Sequence, residues 1–327
     1  MEIIHVKDLS KTYDFYKKEE GVRGSLKNLM HKTILHKDAV KHINFTINKG
    51  DMVGFIGLNG AGKTTTLKML SGILKPTSGE INILGFYPFE KQYAFLKKIG
   101  IVMGNKTQLW WDIPAIDSFA LNKELFEVPD AQYKETLHEL VEMMNVEHLL
   151  HTQVRRLSLG ERMKMELILS LIHSPEVIFL DEPTIGLDVV SQYNIREVLK
   201  KYNERHNTTV ILTSHNLDDI ETVCQRLMLI NQGELVFNGS LDNFIEKQSL
   251  YKIVRVKCKK DKQAIKERIK EYSAEIIDET HDEIKIQVEK DVSLKLSSTL
   301  MNDYIEQIRD ISIESTDMQE LVRKFYS

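Results

Sequence analysis

Residues 57–64 read Gly57-Leu-Asn59-Gly60-Ala61-Gly62-Lys63-Thr64 and follow directly on the apolar run Met52-Val-Gly-Phe-Ile56. A G-x-x-x-x-G-K-T loop between a buried strand and a helix is a cradle for nucleotide phosphates. Its glycines let the backbone curl so that N–H groups point inward at the β-phosphate. The helix that follows directs its positive end at the same anion. In this reading Lys63 places a point charge between the β- and γ-phosphates, Thr64 offers a hydroxyl to Mg²⁺, and Thr65 is a further donor. Thr66 to Leu70 supplies the amphipathic stretch that the geometry needs.

A second signal stands 113 residues after Thr64. Val177-Ile-Phe-Leu-Asp181-Glu182-Pro-Thr is a buried strand ending in two adjacent carboxylates. Asp181 is placed to hold the Mg²⁺ shell, and Glu182 to face the γ-phosphate and orient or deprotonate a water. A third segment, Leu157-Ser158-Leu159-Gly160-Glu161-Arg162, reads by itself as a serine-capped helix start.

The whole chain bounds what these segments can serve. Its 327 residues, 42% hydrophobic, suffice for one large core and a smaller one. Forty-four Lys and Arg against 48 Asp and Glu give a formal charge of -4, so no global basic field draws the chain to nucleic acid or anionic lipid. Cys224 and Cys258 have no metal-ligand spacing and fit a reducing compartment. The N-terminus lacks the basic start and apolar segment of a secretion signal, and no apolar run approaches bilayer length. The chain is therefore expected not to cross a membrane.

Along the chain, Ile3 to Val6 reads as a short strand ended by a turn at Leu9 to Tyr13. A polar, mostly basic excursion follows from Asp14 to Lys37, with Leu26, Leu29 and Met30 at helical spacing. A strand resumes at Val40 to Ile47 and runs through the turn Asn48-Lys-Gly50 into the phosphate loop. Helices are expected near 130–145, 160–173, 189–204 and 217–226, with strands at Val177 to Leu180, Thr208 to Leu212, Leu227 to Ile230 and Glu234 to Asn238. That succession predicts an α/β fold with a largely parallel sheet between helices and antiparallel strands at its edge. From about 250 the order becomes β-α-β-β-α-β, the split βαβ arrangement, closed by a last helix at Asp317 to Tyr326. This tail has no glycine after Gly239 and no phosphate-binding loop, so it reads as structural or regulatory.

Taken together, the phosphate loop, Leu-Ser-Leu-Gly-Glu161, Leu-Asp-Glu-Pro-Thr-Ile-Gly-Leu-Asp188 and Leu-Thr-Ser-His215, in this order, resemble the ATPase subunits of ATP-binding cassette transporters. The resemblance covers about residues 1–240. It implies a P-loop NTPase cassette of mixed sheet with a helical signature subdomain at about 105–173, and the small α+β, ferredoxin-like domain at 250–327 as an addition. It further implies that ATP and Mg²⁺ are bound and that two cassettes close face to face. Ser158 and Gly160 would then contact the γ-phosphate held by the opposite subunit, where a hydroxyl and a helix N-terminus suit a multiply charged anion. Leu159 stands where many members have a second glycine. Asp188 would cross the dimer interface near the partner's phosphate loop. His215 would contact the γ-phosphate and keep Glu182 and the attacking water in register. With Lys63, these two form the expected catalytic set.

Some positions are less determined. Tyr13 resembles the aromatic that stacks on adenine, although Phe15 and Tyr16 lie close enough to replace it. The family places a glutamine after the strand corresponding to Ile99 to Met103. This chain reads Gly-Asn105-Lys-Thr-Gln108-Leu-Trp110-Trp111-Asp there. Asn105, which aligns by its distance from Ile113-Pro114, is the expected Mg²⁺-facing amide, with Gln108, whose side chain has the right length, as the alternative to it. Of Trp110 and Trp111, the only tryptophans, one is expected to pack inside and the other to anchor a coupling helix of a membrane subunit. The basic excursion reads as a solvated face or a contact with anionic headgroups.

The Gln-Leu-Trp-Trp-Asp and Ser-Leu-Gly-Glu-Arg-Met segments, the basic insertion at 14–37 and the appended domain resemble the ATPases of the ABC-2 export group. That implies export of a small, drug-like or cationic compound through separate polytopic permease subunits, a second cassette subunit as partner, no nucleic acid, and a peripheral position on the cytoplasmic face of the membrane.

Overall fold

Strands β3 (Met52–Ile56), β6 (Val177–Asp181) and β7 (Thr209–Thr213) are buried at every position. Continuous apolar runs of this kind belong to parallel strands covered on both faces. In the computed structural model they form the middle of a six-stranded sheet with β5 (Ile99–Met103), β8 (Arg226–Asn231) and β9 (Glu234–Ser240), in the order β5-β6-β7-β3-β8-β9. All neighbours are parallel except β8 and β9. The carboxyl ends of β3, β6 and β7 therefore emerge on one edge of the sheet, where open α/β sheets bind ligands. The description covers residues 1–16, 34–104, 106–248, 251–259, 262–315 and 322.

A second, antiparallel sheet is built from β2 (Ile34–Asn48), β1 (Glu2–Tyr16) and β4 (Ser78–Ile83), in the order β2-β1-β4. Its inner face packs Ile4, Val6, Ile43, Phe45 and Ile81 on Val53, Phe55, Leu67 and Met228. Phe45 meets Phe55 edge-on at 5.7 Å. Here the structure corrects the sequence pattern. The turn expected at Leu9 to Tyr13 is absent because β1 absorbs the polar residues through register shifts after Val6, Leu9 and Lys11, with Asp8 at φ 52°. The excursion expected from Asp14 is correspondingly shorter: Asp14, Phe15 and Tyr16 still pair with His36, Leu35 and Ile34. Leu26, Leu29 and Met30 lie outside the described residues.

Helix α1 (Lys63–Leu70) starts at the phosphate loop and buries Thr66, Leu67, Met69 and Leu70. The short α2 (Tyr93–Leu96) precedes β5. Between β5 and β6 stand α3 (Ala115–Leu125), α4 (Asp130–Met144) and α5 (Leu159–Leu171). Asn122 donates to the Leu169 carbonyl and Lys164 to the Met144 carbonyl, tying α3 and α4 to α5. No sequence pattern announces α3, since its buried positions are Ala115, Ser118 and Phe119 rather than an apolar stripe. Helices α6 (Val189–His206) and α7 (Leu217–Val223) flank β7.

The chain divides into two units, Met1–Ser240 and Leu241–Ser327. The second begins with α8 (Leu241–Gln248). It continues as β10 (Tyr251–Cys258), α9 (Gln263–Ile269), β11 (Ala274–Glu279), β12 (Glu283–Glu289), α10 (Lys290–Tyr304) and β13 (Ile308–Ser315). Its antiparallel sheet has the order β11-β12-β10-β13, which is the split βαβ topology. Val254, Val256, Ile284 and Ile286 pack beneath Ile265, Leu296 and Leu300. Apart from Val322, which is helical and buried, the expected last helix at 317–326 lies outside the described residues. No helix among those described is long and apolar enough to cross a membrane.

Candidate functional site

The loop after β3 is shaped by two backbone requirements. Gly60 and Gly62 sit at φ 81° and 115°, and a Cβ on Gly62 would lie 2.5 Å from the Ala39 carbonyl. Only glycine meets both conditions, which explains why this loop can wrap an anion. Gly62 caps α1 with no side chain in the way, leaving the first N–H groups of the helix open toward the loop's concavity. Lys63 is 7% exposed and donates to the Gly57 carbonyl at 2.6 Å. Burial pushes its ammonium below the usual lysine range, while Glu182 and Asp181 act in the opposite direction.

Strand pairing brings the other groups to the same place. Asp181 ends β6 in register with Met103 and Thr213. Its Oδ1 accepts from the Thr64 hydroxyl at 2.8 Å and the Thr213 hydroxyl at 2.7 Å. One residue on, Glu182 holds a left-handed φ of 54°, a costly conformation for a side-chain-bearing residue. Its N–H donates to the carbonyl and hydroxyl of Thr213 at 3.0 and 3.1 Å. That turn aims the carboxylate at His215, whose Nδ1 is 2.5 Å from Oε2 and whose backbone N–H donates to the same oxygen at 3.2 Å. An ionised carboxylate only accepts, so in this contact Nδ1 is the donor. Residues 58–65, Asp181, Glu182, Ile185 and His215 enclose a cavity of about 360 Å³.

A bracket that sequence reading missed lies beneath these loops. Asp219, fully buried on α7, accepts from the Thr184 hydroxyl at 2.5 Å, the Ser214 hydroxyl at 2.6 Å and Arg196 Nε at 2.6 Å. It thus joins the loop carrying Glu182 to the loop carrying His215. In the sequence Asp218-Asp219 looks like ordinary acidic bias in a first helical turn, and nothing there distinguishes the buried carboxylate from its exposed neighbour.

The other expected site residues gather elsewhere. Ser158 caps α5 in a reciprocal box: its Oγ accepts from Glu161 N at 3.3 Å, and Glu161 Oε2 accepts from Ser158 N at 2.8 Å. That backbone bond, then the hydroxyl, holds the Glu161 carboxyl below its usual range. Asp188 caps α6, accepting from Ser191 N at 2.9 Å and Ser191 Oγ at 2.6 Å. A Cβ on Gly160 would meet that Ser191 Oγ at 2.4 Å, so the start of α5 and the cap of α6 lie against one another. Neither Ser158, Gly160 nor Asp188 borders the phosphate cavity of its own chain.

Tyr13 is 41% exposed on β1, with Lys11 Nζ 5.4 Å from its ring centre, and does not border the cavity. Asn105 lies outside the described residues. Gln108 also stays away from the cavity, its amide donating to the Ile101 carbonyl at 2.6 Å. The tryptophan pair departs from expectation: Trp110 and Trp111 are both exposed, 58% and 47%. The segment is irregular rather than a strand, so the alternation that would have sent one ring inward does not apply.

The donor set suits ATP and Mg²⁺. A hydroxyl and a carboxylate oxygen 2.8 Å apart are hard ligands of the kind Mg²⁺ takes beside phosphate and water. Among the described residues no cluster of three or more His, Cys, Asp or Glu could hold a metal, and Mg²⁺ bound through substrate phosphates needs none.

Residues 40–185 match the family model for the ABC transporter. The chain is 30% identical over 210 residues to the ABC transporter ATP-binding protein NatA of Bacillus subtilis, covering 64% of this chain and 85% of that one. It is 31% identical over 213 residues to the bacitracin transport ATP-binding protein BcrA of Bacillus licheniformis, covering 65% and 68%. Among solved structures, a dimeric ATP-binding cassette in a post-hydrolysis state with ADP and phosphate superimposes with a TM-score of 0.60 at 23% identity, over 73% of this chain and 99% of that one. The shared cassette fold and a relative matched over 85% of its length at 30% identity show that the chain belongs to the ABC transporter family as an ATP-binding, ATPase subunit.

Proposed function

We propose that this chain hydrolyses ATP to power an ABC-2 type exporter, moving a small, drug-like or cationic compound through separate permease subunits from the cytoplasmic face of the membrane. One observation carries the hydrolytic part. Glu182, held by His215 at 2.5 Å, faces the cavity that also contains Lys63 and the Thr64–Asp181 pair. In this reading the Glu182 carboxylate aligns a water and takes its proton as the γ-phosphorus is attacked. His215 keeps Glu182 oriented through Nδ1 and turns Nε2 toward the γ-phosphate. Lys63 exchanges the Gly57 carbonyl for phosphate oxygens, with the loop N–H groups and Thr65 completing the cradle. Mg²⁺, held by Thr64 and Asp181, would neutralise charge between the β- and γ-phosphates.

The separation of Ser158, Gly160 and Asp188 from this cavity supports a composite site completed by a second cassette subunit. The exposed Trp110 and Trp111 support docking of a permease segment, since tryptophan is a favoured interface anchor. Export of a compound rests on the sequence resemblance and on the relative named for bacitracin transport. The adenine contact at Tyr13, and the Mg²⁺-facing amide at Asn105 or Gln108, belong to the same proposal. The test is solubilisation in mild detergent at native abundance. Co-purification of a polytopic membrane protein is expected, with ATP turnover that rises on adding its cargo. Association with ribosomes or DNA, and none with membranes, would overturn the transport role.

A further inference from the structure

We propose that Glu166 is a positioning residue that fastens the segment 107–109 to the helix bearing Ser158 and Gly160, so that the Trp110–Trp111 surface and that helix start move as one body. The inference rests on the ATPase reading above and assigns to it a residue that the hydrolytic step does not use. Glu166 is 3% exposed, yet it is a carboxylate in the middle of α5, and such a group is costly unless it is fully engaged. Its partners are all in one place. Oε1 accepts from the Thr107 hydroxyl, from Gln108 N at 3.0 Å and from Leu109 N at 3.4 Å, and Oε2 accepts from Gln108 N at 3.2 Å. An irregular segment with no ladder of its own finds its backbone acceptors on a helix side chain.

Four residues earlier on the same face of α5, Arg162 lies over the Trp111 ring, 5.1 Å from its centre. The segment is thus clipped twice to one helix. From Glu166 to Ser158 is eight residues of α5 and its cap, about 12 Å of rigid rod. Pressure on the tryptophans is delivered through these clips to the γ-phosphate contacts of the neighbouring cassette, and closure on ATP is delivered back to the tryptophans. Fluorescence can read this directly, because the two tryptophans are the only ones in the chain.

The experiment uses the full chain in the Glu182→Gln background, with binding of a fluorescent ATP analogue and Trp emission recorded separately with and without Mg-ATP. Trp emission is expected to shift on Mg-ATP. Glu166→Ala should lose most of that change while analogue affinity stays within about threefold, and Glu166→Gln should keep it, since one amide oxygen can take the place of Oε1. In the Glu182-containing chain, Glu166→Ala should lower kcat about tenfold with little change in KM for ATP. Should Glu166→Ala fail to fold, Glu166→Met fills the volume without an acceptor and takes its place. A Trp response to Mg-ATP that is the same in Glu166→Ala, or absent from the parent although the analogue binds, overturns the proposal alone. No analogue binding in the parent overturns the ATPase reading and this inference with it.

Discussion

Asp219→Ala should damage the molecule more than any substitution of an exposed site residue. The Asp219 and Arg196 side chains are 1% and 11% exposed and meet at 2.6 Å, so truncation strands a guanidinium away from water. Arg196 Nη2 is already buried without a partner among the described residues, leaving it no spare contact to fall back on. Breaking a buried pair from one side costs about 3–5 kcal/mol. The Thr184 and Ser214 hydroxyls lose their acceptor as well. For a unit of this size that corresponds to a Tm fall of roughly 6–20 °C. Thermal unfolding followed by circular dichroism, at constant pH and with no nucleotide, gives the number. Arg196→Met combined with Asp219→Ala removes both charges and should recover at least ~1 kcal/mol over Asp219→Ala alone. Asp219→Asn, which keeps an acceptor for the hydroxyls, should fall between. A Tm change below about 2 °C for Asp219→Ala, or a double variant that is simply additive, would refute the idea that this carboxylate holds the Glu182 and His215 loops together.

Gly160→Ala should cost only about 1 kcal/mol in stability, because the new Cβ would press on Ser191 Oγ, the end of a rotatable side chain. It should nonetheless cut ATP turnover by about tenfold or more, measured as phosphate release against chain concentration; unchanged turnover would remove the start of α5 from the reaction. His173 stacks on Phe126 at 4.2 Å and donates Nε2–H to the Ile99 carbonyl, and its burial lowers its pKa despite that bond. The unfolded chain therefore takes up a proton at His173 near pH 6.5, while the folded chain resists until lower pH. This part of the stability is present above about pH 6.5 and declines as the pH falls toward the folded value. Urea unfolding across that window should show the decline in the parent and a shallower one in His173→Phe.

The phosphate loop, the Asp181–Glu182 strand end and the alternation of strands and helices were legible in the sequence because each couples a local pattern to a rigid backbone demand. Gly62 at φ 115° and the fully buried Val177–Asp181 illustrate both kinds. What was hidden depends on contacts between residues far apart in the chain. Asp219 gains its importance from Arg196 and Thr184, and Glu166 from a segment nearly 60 residues earlier. The extension of β1 through Leu9 to Tyr13 was missed for a related reason: pairing with β2 and β4 overrides turn-forming residues when bulges can accommodate them. The exposure of both Trp110 and Trp111 does not follow strand alternation, because their segment is irregular and its backbone is fixed by a distant carboxylate.

In the proposed function one ATP is gripped by Lys63 of one subunit and by Ser158 and Gly160 of another. Sedimentation of the Glu182→Gln chain with and without Mg-ATP tests it most directly. The expected result is a single-chain mass without nucleotide and a two-chain mass with Mg-ATP, carrying two ATP per dimer and lost in Ser158→Arg. A chain that binds ATP stoichiometrically yet sediments as one chain at every concentration would contradict it.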